Sequence, residues 1–411
     1  MDRQQGRFAV LRISSFAWFL SGTTLMNAAF WIQQVTLSWL VYDLTSSGAM
    51  LGTLNLVSSA ATVGLASLAG VAIDRFPRRQ LLYAANLWLL VVCFSFGLVL
   101  LGDPTAIWPL FLYSFLSGIG RAVSTPLTQT VVFSIVPRSM APSAVALVQT
   151  GWAVMRSVGP SIGGFLILWF GPAGNFFVQA AAYALVTLTV TRLDLPYAGS
   201  DAQATDTRGS FREGVQYVIS EPTTLTFLLM GWILPLFIIP NFSALPPIYA
   251  KDVFEGGPDT LGTLLSAVGV GGIVGGFVTA LFESVDRRGL LQLGALFFIG
   301  LSFFFFALSS TLWMALIGMA LAGFFEMIYL TTNQTLIQLS IPDALRGRVT
   351  SIISLNFGLM PVGAFIAGIG ADFVGPRTMT LIFSGIIGAT AVIVYAVSPI
   401  VREYRLSRVL D

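Results

Sequence analysis

Apolar runs long enough to cross a bilayer follow one another through almost the whole chain, separated by short connections, many of which carry arginine. A helix rises 1.5 Å per residue and needs about 20 mainly apolar residues to span the hydrocarbon core. Twelve segments meet that need: 14–42, 48–73, 80–101, 107–135, 142–169, 172–191, 224–250, 259–284, 289–309, 312–340, 346–370 and 376–400. Lipid offers no partner to backbone N–H and C=O groups, so spans of this kind fold as helices. The expected fold class is an all-α polytopic membrane protein with twelve transmembrane helices.

Composition points the same way. Of 411 residues, 55% are hydrophobic, 13% aromatic and only 10% charged. A soluble domain carries about 25% charged residues, so this chain lacks the charge to cover a soluble exterior. A net charge of +2 gives no footprint for nucleic acid. There is no histidine, and the single cysteine, Cys93, lies in an apolar run. Internal disulfides, zinc sites and iron–sulfur spacings are thereby excluded, and neither metal nor cofactor is expected. No nucleophile–base pair can be assembled, so enzyme activity has no support. The polar, basic start Met1–Arg12 and the length of the first apolar run argue against a secretory signal peptide.

The one long polar stretch, Arg192–Glu221, contains AGSDAQATDTRGS and reads as a linker between two groups of six helices. Expected boundaries are 1–191 for the first bundle, 192–222 for the linker and 223–411 for the second. Within the linker, FREGVQYVIS (211–220) has the pattern of an amphipathic helix on the membrane surface. With the N-terminus in the cytoplasm, 17 of the 21 basic residues fall on that side and only Lys251 and Arg377 fall outside. That bias sets both termini in the cytoplasm of a cell whose inner membrane the protein crosses repeatedly.

The two halves resemble each other. GTLNLVSSAATVGLASLAG (52–70) matches GTLLSAVGVGGIVGGFVTA (262–280) in its small-residue rhythm. Trp108, Gly118, Gln129, Thr130 and Pro137 recur 205 positions later as Trp313, Gly323, Gln334, Thr335 and Pro342. Two pseudo-symmetric six-helix bundles are the layout of a secondary transporter that rocks about a central site. The glycine run GVGGIVGG (269–276) has no preceding strand and no Lys-Ser/Thr after it, so it reads as close helix packing and not as a phosphate loop. Transport would then run on a gradient.

Gly70-Val-Ala-Ile-Asp74-Arg75-Phe-Pro77-Arg78-Arg79 resembles the signature between helices two and three of the major facilitator superfamily, with Pro77 in place of its second glycine. A weaker copy, Val285-Asp286-Arg287-Arg288-Gly289, follows the eighth segment. Gly159-Pro160-Ser-Ile-Gly163-Gly164 in the fifth segment is similar to the motif of that superfamily's exporters. WLVYDLTSS (39–47) and PLTQTVVFSIVPRSMAPSAVAL (126–147) are similar to the branch containing macrolide-efflux proteins and the enterobactin exporter. The resemblance implies the major facilitator fold. It also implies a conformational latch of Gly70, Asp74, Arg75, Arg78 and Arg79, with topology-setting against anionic lipid as the other reading of the arginines. Gly159, Pro160, Gly163 and Gly164 would let two helices approach closely.

Three ionisable residues lie well inside apolar segments: Arg121, Arg156 and Glu326. Each costs about 2.5–3.5 kcal/mol at the bilayer centre unless it meets a cavity or a partner. Arg121 and Glu326 are equivalent in the half-chain repeat, and the superfamily's fold implies that segments one, four, seven and ten line a central cavity, where the two would face each other. A change in their separation would change the proton affinity of Glu326 and so couple protons to the transport cycle. Glu326 is the first candidate for the coupling group, with Asp43 second and Arg121 as modulator; a fixed structural ion pair is the competing reading. Arg156, three residues before Gly159, either binds an anionic group or satisfies carbonyls near Pro160. Candidates for the cavity wall are Asn27, Trp31 and Gln34 in segment one, Arg121 and Thr125 in segment four, and Arg156 in segment five. Trp232 and Asn241 in segment seven join them, with Glu326, Tyr329 and Asn333 in segment ten. Interhelical hydrogen bonding competes at each single Asn or Gln.

The expected function is efflux of drugs or amphipathic small molecules by a monomeric secondary transporter, in exchange for protons. Export of a siderophore or similar metabolite, translocation of lipid, and a transporter-like receptor are the alternatives. Nucleic acid is not an expected partner.

Overall fold

The computed structural model describes residues 9–102, 106–195, 207–281, 285–342, 345, 349, 352–353 and 356–404. Every regular element among them is helical. In chain order the main helices are α1 (Ser14–Thr45), α2 (Gly48–Gly64), α3 (Ala66–Arg75), α4 (Arg78–Leu101), α5 (Trp108–Ile135), α6 (Ala141–Thr191) and α7 (Thr207–Ser220). They continue as α8 (Pro222–Ile233), α9 (Pro258–Leu281), α10 (Arg288–Ala307), α11 (Leu312–Ser340), α12 (Asn356–Val374) and α13 (Pro376–Val397). Helix covers all or part of each of the twelve apolar segments, and seven stretches among the described residues are long and apolar enough to cross a membrane. Large apolar side chains point outward, with Phe373 84%, Trp313 78% and Phe277 74% exposed, as a lipid-facing surface requires.

Local chemistry explains where the helices break. Segments five and six run on as α6 but are divided at Gly171, whose backbone (φ 68°, ψ 174°) leaves the helical region immediately before Pro172. Gly375 (φ 83°, ψ 155°) makes the same break before Pro376, opening α13. Only glycine takes this backbone region at little cost, and proline at the next position suits the first turn of a helix. Segment seven is interrupted: α8 passes into a π-turn at Leu234–Ile238, and a second π-turn spans Tyr249–Val253. Pro235, Pro240, Pro246 and Pro247 each remove a backbone donor there.

The described chain divides into two units. The first comprises Met1–Thr45, Leu54–Ala202 and Gly257–Gly262; the second comprises Ser46–Thr53, Gln203–Gly256 and Thr263–Asp411. In the first unit α1 and α4 both pack along α6. Gly22 of α1 makes room for Thr189, and Gly151, Gly159 and Gly163 of α6 make room for Thr24, Trp31 and Ile32. Buried Asn175 donates to Thr36 Oγ1 (2.6 Å) and to the Gly163 carbonyl (3.1 Å), tying the two halves of α6 to α1. In the second unit α10 packs against α11 and α13. A methyl group on Gly271 or Gly275 of α9 would land on the backbone of Ala320 or Phe324 in α11. The glycine run of α9 is a packing seam.

Candidate functional site

Arg121 sits in the middle of α5, a helix otherwise free of charge. Its Nη2 donates to Ser58 Oγ of α2, and its guanidinium carbon lies 5.4 Å from the centre of the Phe30 ring of α1. Its Nη1 is enclosed and has no hydrogen-bond partner among the described residues. Phe30 packs edge-on against Trp31 (5.3 Å), and Trp31 against Trp152 of α6 (6.0 Å). Arg156 then lies over Trp152 at 5.7 Å. A continuous run of aromatic rings therefore ends in a guanidinium group on either side, all within the first unit.

The polar residues of α1 fall on two faces. Asn27, Trp31 and Gln34 are half-buried, at helical spacing. Gln33 and Thr36 point into the bundle instead, where Gln33 Nε2 donates to Ser117 Oγ at 3.4 Å. Thr125 of α5 is exposed, as is Asp43 in the last turn of α1.

Glu326 lies in α11 of the second unit and is 1% exposed. Three and seven residues on, Tyr329 OH donates to the Met230 carbonyl (2.6 Å) and Asn333 Oδ1 accepts from Gln292 Nε2 (2.6 Å). Tyr329 and Asn333 thus hold α8 and α10 against α11. Asn241 donates to the Phe237 carbonyl of its own turn at 2.7 Å, and its Oδ1 has no partner among the described residues. Trp232 is half-buried with its indole N–H likewise unpartnered among them.

The candidate latch residues divide. Arg78 Nη1 donates to Ser134 Oγ near the end of α5 at 2.6 Å, and Arg79 Nη2 donates to the carbonyl of Thr191, the last residue of α6. A guanidinium on the terminal carbonyl of a helix satisfies an orphan acceptor and opposes the helix dipole favourably. Arg75 and Gly70 are exposed, and the side chain of Asp74 lies outside the described features. Gly159, Pro160, Gly163 and Gly164 are all buried; Gly159 seats Trp31 and Gly164 lies against Pro258 and Gly262.

Several contributors carry little or no signal in the sequence. Ser58 and Phe30 complete the surroundings of Arg121, yet neither stands out from its neighbours. Gln292, Asn175 and Gln179 are fully buried amides; their only mark is a polar residue inside an apolar span.

Residues 5–405 match the family profile described as transmembrane secretion effector, MFS_3. The staphyloferrin A transporter of Staphylococcus aureus is 25% identical over 385 residues, covering 87% of this chain and 90% of that relative. Macrolide efflux protein A of Streptococcus pyogenes is 22% identical over 393 residues, with 94% and 95% coverage. The multidrug efflux pump Tap of Mycobacterium tuberculosis is 25% identical over 426 aligned positions, with 96% coverage of both. Among solved structures, the nucleoside transporter NupG superposes with TM-score 0.73 at 15% identity, covering 93% of this chain and 98% of that one. A bacterial homologue of the iron transporter ferroportin gives 0.70 at 17% identity, with the same coverage. At these identities the structural likenesses establish the fold.

Proposed function

This chain belongs to the transmembrane secretion effector family of the major facilitator superfamily, and from that premise we propose that it exports amphipathic small molecules by alternating access, in exchange for protons. It is a multi-pass membrane transporter of the efflux type and not an enzyme. Alternating access draws its support from the half-chain repeat, because two equivalent bundles can rock about a common site. The basic residues favour cytoplasmic termini. A monomer suffices for this scheme.

The observation that carries the proton reading is Glu326: a carboxyl 1% exposed in the middle of a 29-residue helix with no other charge. An ionised group there is costly unless it is partnered, so a buried acid is suited to taking up a proton in one conformation and releasing it in another. Arg121, its equivalent in the repeat, would bias that exchange electrostatically, and Asp43 is a second acid available near the end of α1. Asn27, Trp31, Gln34, Thr125, Arg156, Trp232, Asn241, Tyr329 and Asn333 join Arg121 and Glu326 as the cavity-wall candidates for an amphipathic solute.

Purified protein in liposomes with an imposed pH gradient tests the reading. Gradient-driven accumulation of an amphipathic fluorophore by the wild type, lost in Glu326→Gln, is expected. Accumulation that ignores both the gradient and the substitution would remove proton coupling and leave a facilitator.

A further inference from the structure

We propose that the first unit carries an anion-binding subsite for a carboxylate- or phosphate-bearing amphiphile, in which Arg121 holds the anionic head while Phe30, Trp31 and Trp152 pack the apolar body. This deepens the efflux reading and rests on it only for the direction of travel. Charge comes first. The first 202 residues contain no glutamate, and the aspartates of this unit among the described residues (43, 74, 194 and 259) all lie in terminal turns or connections. Among the described residues, the ionised groups deep in its apolar helices are therefore Arg121 and Arg156. A guanidinium keeps its proton in any protein environment, so the half-buried Arg121 calls for a compensating anion, and the interior of this unit supplies none among the described residues.

Hydrogen bonding points to the same ligand. Arg121 spends Nη2 on Ser58, while its enclosed Nη1 has no partner among the described residues. Trp31 Nε1, next along the run of rings, is likewise enclosed and unpartnered among them. Both are donors with no acceptor capacity; a water oxygen can accept from either, but of the two only an anion also offsets the charge of the guanidinium. The unit's other enclosed, unpartnered polar atoms in the described residues belong to Asn86, Asn175 and Gln179. These are amides, able to offer or accept, and each is fully buried in the bundle. Charge-assisted bonds from a guanidinium to a carboxylate or phosphate are roughly twice as strong as neutral ones.

The rings give the second half of the ligand. Gly159 seats Trp31: a Cβ at that position would stand 2.7 Å from the Cβ of Trp31. The exporter-type motif thereby fixes one wall of the subsite. Arg156 over Trp152 supplies a second positive group at the far end.

The test uses purified full-length protein in phosphatidylcholine nanodiscs with no gradient, reading energy transfer from tryptophan to pyrene. Pyrenebutyrate and its quaternary-ammonium counterpart share one flat body and differ in charge. Wild type is expected to bind the carboxylate at least tenfold tighter than the ammonium. Arg121→Gln should lose that preference and Arg121→Lys should keep part of it, with thermal unfolding establishing that each variant is folded. Competition by phosphatidylglycerol in the disc assigns the head to a lipid phosphate, and competition by soluble dodecyl phosphate alone assigns it to a free solute; either supports the subsite. Equal binding of the two probes, or a preference that survives in Arg121→Gln, overturns it. Because no gradient is present, that failure leaves the efflux reading intact, just as failed proton-driven transport would leave this subsite intact.

Discussion

The carboxylate of Asp372 in α12 accepts a hydrogen bond from the backbone N–H of Gly48, the first residue of α2, at 2.6 Å. The same group accepts from the Ala49 N–H (2.9 Å) and the Ser47 hydroxyl (2.8 Å), all within the second unit. The opening N–H groups of a helix have no partner of their own, and an anion at that end also meets the favourable pole of the helix dipole. A Cβ on Gly48 would stand 2.5 Å from the Gly368 carbonyl, so glycine is what allows the turn to reach the acid.

Loss of this cap should loosen the first turn of α2. Asp372→Ala is expected to cost about 1 kcal/mol, the usual range for a lost helix N-cap. Asp372→Asn, which keeps one acceptor oxygen, should cost less. Hydrogen exchange over residues 46–53 reads the effect directly: exchange should rise in the alanine variant and hardly change at α13. Unchanged exchange at 46–53 would show that the cap contributes nothing to the turn.

Arg78 and Ser134 should behave as a coupled pair. Their 2.6 Å hydrogen bond links the start of α4 to the end of α5, and a bond to a charged group contributes about 1.5–3 kcal/mol when sheltered, less when partly solvated. Arg78→Ala and Ser134→Ala together should cost measurably less than the sum of the two singles, a coupling that thermal unfolding of the four proteins reads. Additive effects would instead assign Arg78 to topology alone.

How much of the fold is legible in the sequence follows from what each signal depends on. Apolar length is a local property, so the helices at Ser14–Thr45, Arg78–Leu101 and Leu312–Ser340 lie where the hydropathy places them. The glycine run 269–276 also reads as packing, because no phosphate-loop partner residues accompany it. Pairing across the fold does not show. Nothing local marks Ser58 as the neighbour of Arg121, or Gln292 as the donor to Asn333, since both partners sit on other helices 63 and 41 positions away. Even Tyr329 and Asn333, candidates for a cavity wall by their spacing, hold helices together. A polar residue in a span announces that it needs a partner without saying whether that partner is solute or protein.

Gln292 and Asn333 therefore give a sharp asymmetry to measure. Removing one partner leaves the other buried and unsatisfied, which costs about 1–3 kcal/mol, whereas replacing both with apolar groups of similar shape is close to neutral. Gln292→Leu and Asn333→Leu should each lower the thermal midpoint, and the double variant should recover most of the loss. A double variant worse than either single would mean that the pair serves water or solute as well as each other.

The matching breaks at Gly171 and Gly375 offer the clearest backbone test. Both have positive φ with ψ near the extended limit, a region costing a side-chain-bearing residue about 1–3 kcal/mol. A Cβ added at either would meet no atom of a more distant residue within 4 Å, so contact with other elements plays no part. Gly171→Ala and Gly375→Ala should consequently destabilise by strain alone, each by about the same amount, since the two positions share one geometry 204 residues apart. The measurement is the unfolding midpoint of each variant in detergent. A second pair, Gly294→Ala and Gly385→Ala, is the control: both glycines lie inside helices with equally open surroundings, where alanine is the better helix former by about 1 kcal/mol. Opposite signs for the two pairs would locate the effect in φ. If all four variants shift the midpoint alike, the breaks before Pro172 and Pro376 owe their shape to proline and not to glycine.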